Sequence, residues 1–533
     1  MIPLTASFVA LLAAARLVAA QSVVAHYMAQ ELYDYQEADI TKDIQDAMAI
    51  GIEAFVFNIA SMDYEVDKIN MAYPIAEQLG FQFLYSIDTA FGYNWQPSEI
   101  VSLVAAHANS SATYRWNGKP LISSFQSTGE TRGDDFWSAV KSGLKDQGID
   151  VSIAPGLTRF RDPNLAQELV SSFPSIDGFL NWWSWPEDKP ENLTTATDLA
   201  YKEALSSRDG PYMMAVSPWQ FKNINGEAWV ENSDYLWRYR WEQAINEVKP
   251  DIVEIVTWND YGESHYIVNP NPVVNLGSEA PHYVNGTDHS AWQIPAKYYI
   301  QWFKSCGAAS VVAPTRAARS LRSGRNGKKR CGENCDCSTA PGSSAPASTS
   351  TPSAPAPSSE PAPPSTDIPA PTAAPEPVPT SAPAPEEPAP APTSAPAPAP
   401  SDPAPAPAPG SCSPPAIEEE TIVYWYRKFP KDIQCSGGAD VRNKEFVADE
   451  IFAYAMLKEP GIIRIDAGSQ SGEFSVDAGI SIVSIPFPET DETPFFQILR
   501  GDDKTVIKSG HGNAAISHSD CTWYNFNPTV GSI

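Results

Sequence analysis

Residues 251–266 read DIVEIVTWNDYGESHY. The run 252–256 is short and mostly apolar, as a buried strand is, and it stops abruptly at Trp258-Asn259-Asp260-Tyr261-Gly262-Glu263. Two carboxylates so close together, beside an indole and a glycine turn, are an unusual way to leave a strand. Taken alone, Asp260 and Glu263 read as solvated loop residues; the rest of the chain decides whether they are more than that.

Working outward, short apolar runs recur at 23–28, 54–59, 82–88, 120–126, 150–157, 176–185, 212–221 and 251–258. Amphipathic stretches separate them, at 40–50, 63–79, 134–147 and 233–248, and 292–304 follows the last run. Eight strand-then-helix units in about 280 residues predict an α/β fold, a parallel (β/α)8 TIM barrel over residues 21–306. Two βαβ domains would give the same alternation, but no Gly-rich phosphate loop follows any run.

The barrel is one part of a longer chain. At 533 residues the length suggests about two to four domains. Residues 307–415 form a linker that is first basic and Cys-containing, with Lys329-Arg330 a candidate dibasic cleavage point, and then rich in Pro, Ala, Ser and Thr. Such composition cannot build a core and predicts a disordered, extended spacer, about 200 Å at full polyproline reach. Residues 416–533 return to short alternating runs broken by Gly, Pro and Asp, which predicts an antiparallel β-sandwich, with a hairpin turning at Gly479. Tyr424-Trp425-Tyr426 in that domain suits either polysaccharide binding or packing on the barrel.

Residues 1–20 carry an apolar run ending in small residues before Gln21, which predicts a secretory signal peptide. No other segment reaches membrane-spanning length, so no membrane contact is expected after its removal. Secretion gives meaning to sequons at Asn109, Asn192 and Asn285, expected glycosylation sites. Of seven cysteines none precedes Cys306; Cys306, Cys331, Cys335 and Cys337 cluster, and Cys412, Cys435 and Cys521 follow. In an oxidising compartment the cluster predicts local disulfides, a zinc site being disfavoured because no histidine lies nearby. The net charge of −28 argues against nucleic acid. It suits a secreted or cell-wall-associated protein acting on a neutral or cationic polymer, and a monomer is expected.

In a (β/α)8 barrel functional groups gather at the C-terminal ends of the strands. Those ends carry His26, Asn58, Asp88 followed by Tyr93, Gln126, Asn181-Trp182-Trp183-Ser184-Trp185, Trp219, and Trp258-Asn259-Asp260 with Glu263. Each has a plain alternative: a helix cap for Asp88, core packing for the tryptophans, a satisfied buried histidine for His26, backbone ties for Asn58 and Gln126. Paired carboxylates of unequal pKa beside aromatic platforms are what glycoside cleavage requires. His26 and His265 lack the denser ligand set of a metal hydrolase, and no cofactor motif is present, so neither metal nor cofactor is expected.

Residues 22–304 resemble the catalytic domain of fungal α-1,3-glucanases, the mutanases of glycoside hydrolase family 71. The resemblance rests on Val24-Ala25-His26-Tyr27-Met28, Phe55-Val56-Phe57-Asn58-Ile59, Tyr85-Ser86-Ile87-Asp88, Asn181-Trp182-Trp183-Ser184-Trp185 and Thr257-Trp258-Asn259-Asp260-Tyr261-Gly262-Glu263-Ser264. Tyr424-Trp425-Tyr426-Arg427 and Tyr524-Asn525-Phe526-Asn527 are similar to the family's C-terminal β-domain. The resemblance implies endo-hydrolysis of α-1,3-glucan with inversion, a catalytic pair Asp260 and Glu263, and an essential third carboxylate Asp88. Glu263 is expected to protonate the leaving oxygen and Asp260 to activate water. His26, Asn58, Tyr93, Gln126, Trp182, Trp183, Trp185, Trp219, Trp258 and Asn259 are candidate sugar contacts. A catalytically silent wall-binding protein and a retaining α-glucosidase are the competing readings. The residues alone leave open endo against exo attack, own wall against foreign glucan, and the disulfide pairing.

Overall fold

The computed structural model describes residues 21–126, 132–309 and 412–533. Eight parallel strands follow one another round a closed sheet: Ser22–Met28, Ala54–Ile59, Gln82–Asp88, Lys119–Gln126, the interrupted fifth strand Ser152–Ile153 with Gly156–Leu157, Phe179–Asn181, Tyr212–Val216 and Ile252–Ile255. The eighth pairs back onto the first, Val24 beside Glu254, and the third pairs with the fourth, so the sheet has no free edge. A helix follows each strand: Glu37–Ile50, Asp63–Leu79, Pro97–His107, Asp134–Asp146, Ala166–Ser172, Ala196–Ala204, Leu236–Gln243 and Gln293–Ala309. The first of these opens on a capping box of Gln36 and Asp39 and stops at Gly51, whose φ of 94° a β-carbon would resist.

Three expected strands are shorter in the structure. Pro155, without an N–H, splits the fifth. The sixth ends at Asn181, so the tryptophans after it ride on a loop. The seventh ends at Val216, and Phe221–Ile224 instead pairs antiparallel with Glu227–Val230. Asn225 and Gly226, with φ of 58° and 74°, make the two-residue turn of that hairpin.

Strand parity then sorts the side chains. Val24, Val56, Leu84, Ala154, Leu180, Met213 and Ile252 fill the barrel interior. The inward positions two residues further on, His26, Asn58, Ser86 and Glu254, are polar and fully buried. On these four strands the inward face therefore changes from apolar to hydrogen-bonding groups as it approaches the C-terminal mouth.

Residues 421–532 form two antiparallel four-stranded sheets. In the first, Gly479–Pro486, Glu450–Leu457, Thr421–Arg427 and Pro528–Ser532 lie side by side; in the second, Gln470–Val476, Gly461–Ala467, Phe495–Arg500 and Thr505–His511. Every residue of Thr421–Arg427 is buried because its sheet is covered on both faces. Ile422, Tyr424 and Tyr426 join the core between the sheets, whereas Val423 and Trp425 join the barrel's core. Trp425 lies 5.2 Å from Trp292 between ring centroids, and Tyr454 Oη donates to Tyr299 Oη at 2.8 Å. The Tyr424-Trp425-Tyr426 run is therefore packing.

The hairpin expected at Gly479 is not formed. Gln470–Val476 pairs with Gly461–Ala467 across Gly468, and the chain crosses to the other sheet at Gly479. Alternating exposure along 470–476 made two neighbours equally plausible in sequence, and the tighter Ala467–Gln470 turn wins. Cys306 pairs not with its cluster neighbours but with Cys412, 106 positions away, and Cys435 pairs with Cys521. Barrel and sandwich belong to one compact unit. The signal segment, Lys329-Arg330, Cys331, Cys335, Cys337 and the Pro-rich stretch lie outside the described residues. No described helix is long and apolar enough to cross a membrane.

Candidate active site

The floor of the barrel mouth is a buried polar layer. His26 Nδ1 lies 2.7 Å from Glu254 Oε1 with both side chains excluded from solvent. Asn58 Nδ2 donates to Asp88 Oδ2 at 2.9 Å, and Ala90 N donates to Asp88 Oδ1 at 2.8 Å. Two N–H donors aimed at a carboxylate favour its ionised form. His26 Nε2, Asn58 Oδ1, Ser86 Oγ and Glu254 Oε2 have no partner among the described residues. Buried polar atoms left in this state are costly unless water or a ligand meets them, and hydroxyl-rich ligands suit them. Trp182 stands over this floor, edge-on to His26 with ring centroids 4.8 Å apart, and keeps part of its surface open.

Above the floor, the loop after the eighth strand is tied to itself and to its neighbours. Thr257 N bonds His265 O, Trp258 N bonds His26 O, and Asp260 N donates to Thr257 Oγ1 at 2.8 Å. Asp260 Oδ1 in turn accepts from Glu263 N, three residues on, at 3.0 Å, which fixes the two carboxylates relative to each other. Glu263 Oε2 accepts from Gln220 Nε2 at 3.1 Å and faces His265 Nε2 at 3.3 Å; Glu263 Oε1 faces Lys222 Nζ at 3.4 Å. Phe221 N also bonds Glu263 O, so the hairpin after the seventh strand grips the same residue.

These surroundings divide the two acids. Burial, together with the charge of Glu263, pushes the Asp260 carboxyl up, against the opposing pull of His265. Burial pushes Glu263 up too, but the hydrogen bond from His265 and the Lys222 ammonium outweigh it and bring the group down to about 2. The proton thus favours Asp260, the reverse of the order expected from the sequence. One ligand atom each from Asp260, Glu263 and His265 lie within 4.8 Å of one another. That is shorter than the roughly 6.5–9.5 Å that leaves room for water between an inverting acid and base. Asp260 and Glu263 therefore sit together on one side. Lys222 already supplies the positive charge that a metal ion would bring to this trio.

The sugar-contact candidates separate into two groups. His26, Asn58, Tyr93, Trp182 and Trp183 border the mouth, although Arg161 covers one face of Trp183 with 3.9 Å from its guanidinium to the ring. Trp185, Trp219 and Trp258 are buried and offer no open face for stacking. Trp185 Nε1 donates to Trp219 O and Trp219 Nε1 to Phe526 O, so both brace the sandwich side of the site. Asn259 spends its amide on Met28, accepting from its N at 2.8 Å and donating to its O, and Gln126 Oε1 accepts from Arg132 N. In this structure these five side chains hold the walls of the site together.

Several participants escaped the sequence reading. Glu254 was hidden in a mostly apolar run, although its parity with Ile252 puts it inside. The expected seventh strand, 212–221, takes in Gln220 and stops one residue short of Lys222; the Asn225-Gly226 turn is the signal for a separate hairpin. Glu31, half-buried on the turn after the first strand, is pushed up to about 8 by burial and by Asp260. The sequons Asn109, Asn192 and Asn285 are all exposed.

A closed parallel barrel whose C-terminal mouth holds a coupled carboxylate pair, a third carboxylate and a polar floor has the working parts of a glycoside hydrolase. Residues 19–341 and 410–533 match Glycosyl hydrolase family 71. The chain belongs to that family. It is 32% identical over 524 residues to a glucan endo-1,3-α-glucosidase of Schizosaccharomyces pombe, covering 96% of this chain and 94% of that protein. A mutanase of Penicillium rubens is 27% identical over 525 residues, covering 96% of this chain and 88% of the relative. An ascus wall endo-1,3-α-glucanase of Schizosaccharomyces pombe is 29% identical over 294 residues, 53% of this chain and 66% of that protein.

Proposed function

We propose that this protein is an extracellular hydrolase that cuts α-1,3-glucosidic bonds within α-1,3-glucan, with inversion. The observation that carries the reading is the near full-length similarity to a glucan endo-1,3-α-glucosidase, 96% of this chain, in a barrel that keeps Asp88, Asp260 and Glu263 at its mouth. The polar floor under Trp182 suits a neutral, hydroxyl-rich ring. The exposed sequons and the leader-like first residues support secretion and glycosylation at Asn109, Asn192 and Asn285.

The chemistry follows from the charges. Asp260, pushed up by burial and by Glu263, carries the proton; Glu263, held ionised by His265 and Lys222, keeps it there. Asp88 sits three strands round the wall from the eighth, about 14 Å along a sheet with roughly 4.8 Å between strands. The inward reach of two side chains reduces that to a span that accommodates a sugar and a water. Asp88, which accepts from Asn58 Nδ2 and Ala90 N, takes a proton from water as the water oxygen bonds C1 from the face opposite the leaving group. The C1–O3′ bond breaks and O3′ takes the proton from Asp260. One water is consumed, and the new reducing end is the β-anomer.

Two measurements test this. Incubation with α-1,3-, α-1,4- and β-1,3-glucans should release oligosaccharides from the first alone, with the β-anomer appearing first by NMR; activity confined to a β-glucan would overturn the function. An α-1,3-glucooligosyl fluoride needs no leaving-group proton. Asp260→Asn should lose about 10²–10⁴-fold on polymer yet turn over the fluoride, whereas Asp88→Asn should lose both. The opposite pattern would exchange the two roles.

A further inference from the structure

The most exposed large apolar side chain of the described residues lies at the active-site rim. Tyr33, 63% exposed, ends the turn that follows the first strand. Its ring meets that of Tyr64 edge-on at 5.0 Å and 83°. Tyr64 stands in the opening turn of the helix after the second strand, flanked by Met62 and Val66, both also exposed. Tyr93, half-buried, closes the Ala90–Gly92 turn that follows Asp88 at the end of the third strand, and Trp95 Nε1 donates back to Asp88 O at 3.0 Å. Three phenols thus follow the C-terminal ends of three neighbouring strands, the third of which carries Asp88.

The arrangement is rigid. Tyr64 Oη donates to Gln30 O at 3.0 Å, and Lys68 Nζ donates to Tyr35 O at 2.7 Å, so the helix holds the turn that carries Tyr33 at two points. Exposed aromatic surface on a pinned support costs burial energy in the free protein and little entropy on binding. A phenol joins an apolar face with a hydrogen-bonding tip, which matches the C–H face and rim hydroxyls of a glucosyl ring.

We propose that Tyr33, Tyr64 and Tyr93 form a binding strip that holds the α-1,3-glucan chain beyond the bond being cut. This rests on the proposed function for the identity of the sugar, and its continuity with Asp88 selects a polysaccharide already threaded through the mouth as the occupant. The strip gives the enzyme a preference for long chains over short ones.

The test compares wild type with Tyr33→Ala and Tyr33→Trp. On a soluble carboxymethylated α-1,3-glucan, Tyr33→Ala should raise KM about tenfold with kcat within twofold, and Tyr33→Trp should restore KM. On oligosaccharides too short to reach past Tyr93, all three should behave alike. Co-sedimentation with insoluble α-1,3-glucan needs no turnover and should weaken in Tyr33→Ala. Unchanged KM and unchanged sedimentation, or an equal loss on short and long substrates, would overturn the strip. Wild-type protein that sediments with the polymer but never cleaves it would instead overturn the proposed function, leaving the strip to be judged by sedimentation alone.

Discussion

At the scale of single residues, the site is an exercise in separating two carboxylic acids of nearly equal intrinsic strength. Asp260 and Glu263 share a loop and a neighbour, His265, but Lys222 faces only Glu263 closely. An ammonium beside a carboxylate holds the proton off, so its removal should let Glu263 rise. In Lys222→Met the acid limb of the kcat/KM profile should therefore move about one unit toward higher pH, with the maximum rate reduced. A limb that stays in place while activity falls would mean that Lys222 shapes the loop without setting its charge. Glu31 and Asp234, by contrast, owe their raised values chiefly to burial.

At the scale of elements, the short hairpin Phe221–Ile224 with Glu227–Val230 joins everything that matters. Its Lys222 reaches Glu263, while Asn223 Nδ2 donates to Ala439 O and Tyr524 O, and Ala439 N donates to Asn223 Oδ1. Asn223 is buried, so Asn223→Ala strands three backbone groups of the sandwich without partners. A loss of about 3 kcal/mol in urea unfolding is expected, together with lower activity from a displaced Lys222. A change under half a kcal/mol would mean water replaces the amide. This hairpin also marks where sequence reading stopped working. The barrel was legible because its strands are apolar runs at regular spacing and its helices are amphipathic, and Asp88, Asp260 and Glu263 follow once strand ends are known. The hairpin was not, because its apolar residues continue those of the seventh strand. Trp185, Trp219 and Trp258 show a related ambiguity: an indole at a strand end looks alike in sequence whether it faces a sugar or a neighbouring domain, and in the structure all three are buried.

At the scale of the whole molecule, buried carboxyls give stability a direction in pH. Burial raises Asp43 to about 6, Glu65 to about 6, Glu231 to about 7, Asp234 to about 7 and Glu31 to about 8. Each binds its proton more tightly folded than unfolded, so stability falls as pH rises from about 4 through about 8. His289, lowered to about 4 by burial, acts in the other direction below its ordinary range. A net charge of −28 adds self-repulsion on the alkaline side. Thermal unfolding should occur at a higher temperature near pH 5.5 than near pH 8.5; the reverse order would show that other groups dominate.

The bond between Cys306 and Cys412 changes what the long insertion can be. Its two anchor points have Cα atoms 5.3 Å apart although 106 positions separate them in the chain. The insertion therefore starts and finishes at one spot, where sulfur joins the barrel's last helix to the start of the sandwich. Its length and composition are free to drift over generations without retuning the catalytic loops. A proteolytic nick within it would turn one polypeptide into two and still leave a single particle, held by sulfur and by the packed sheet behind Trp425.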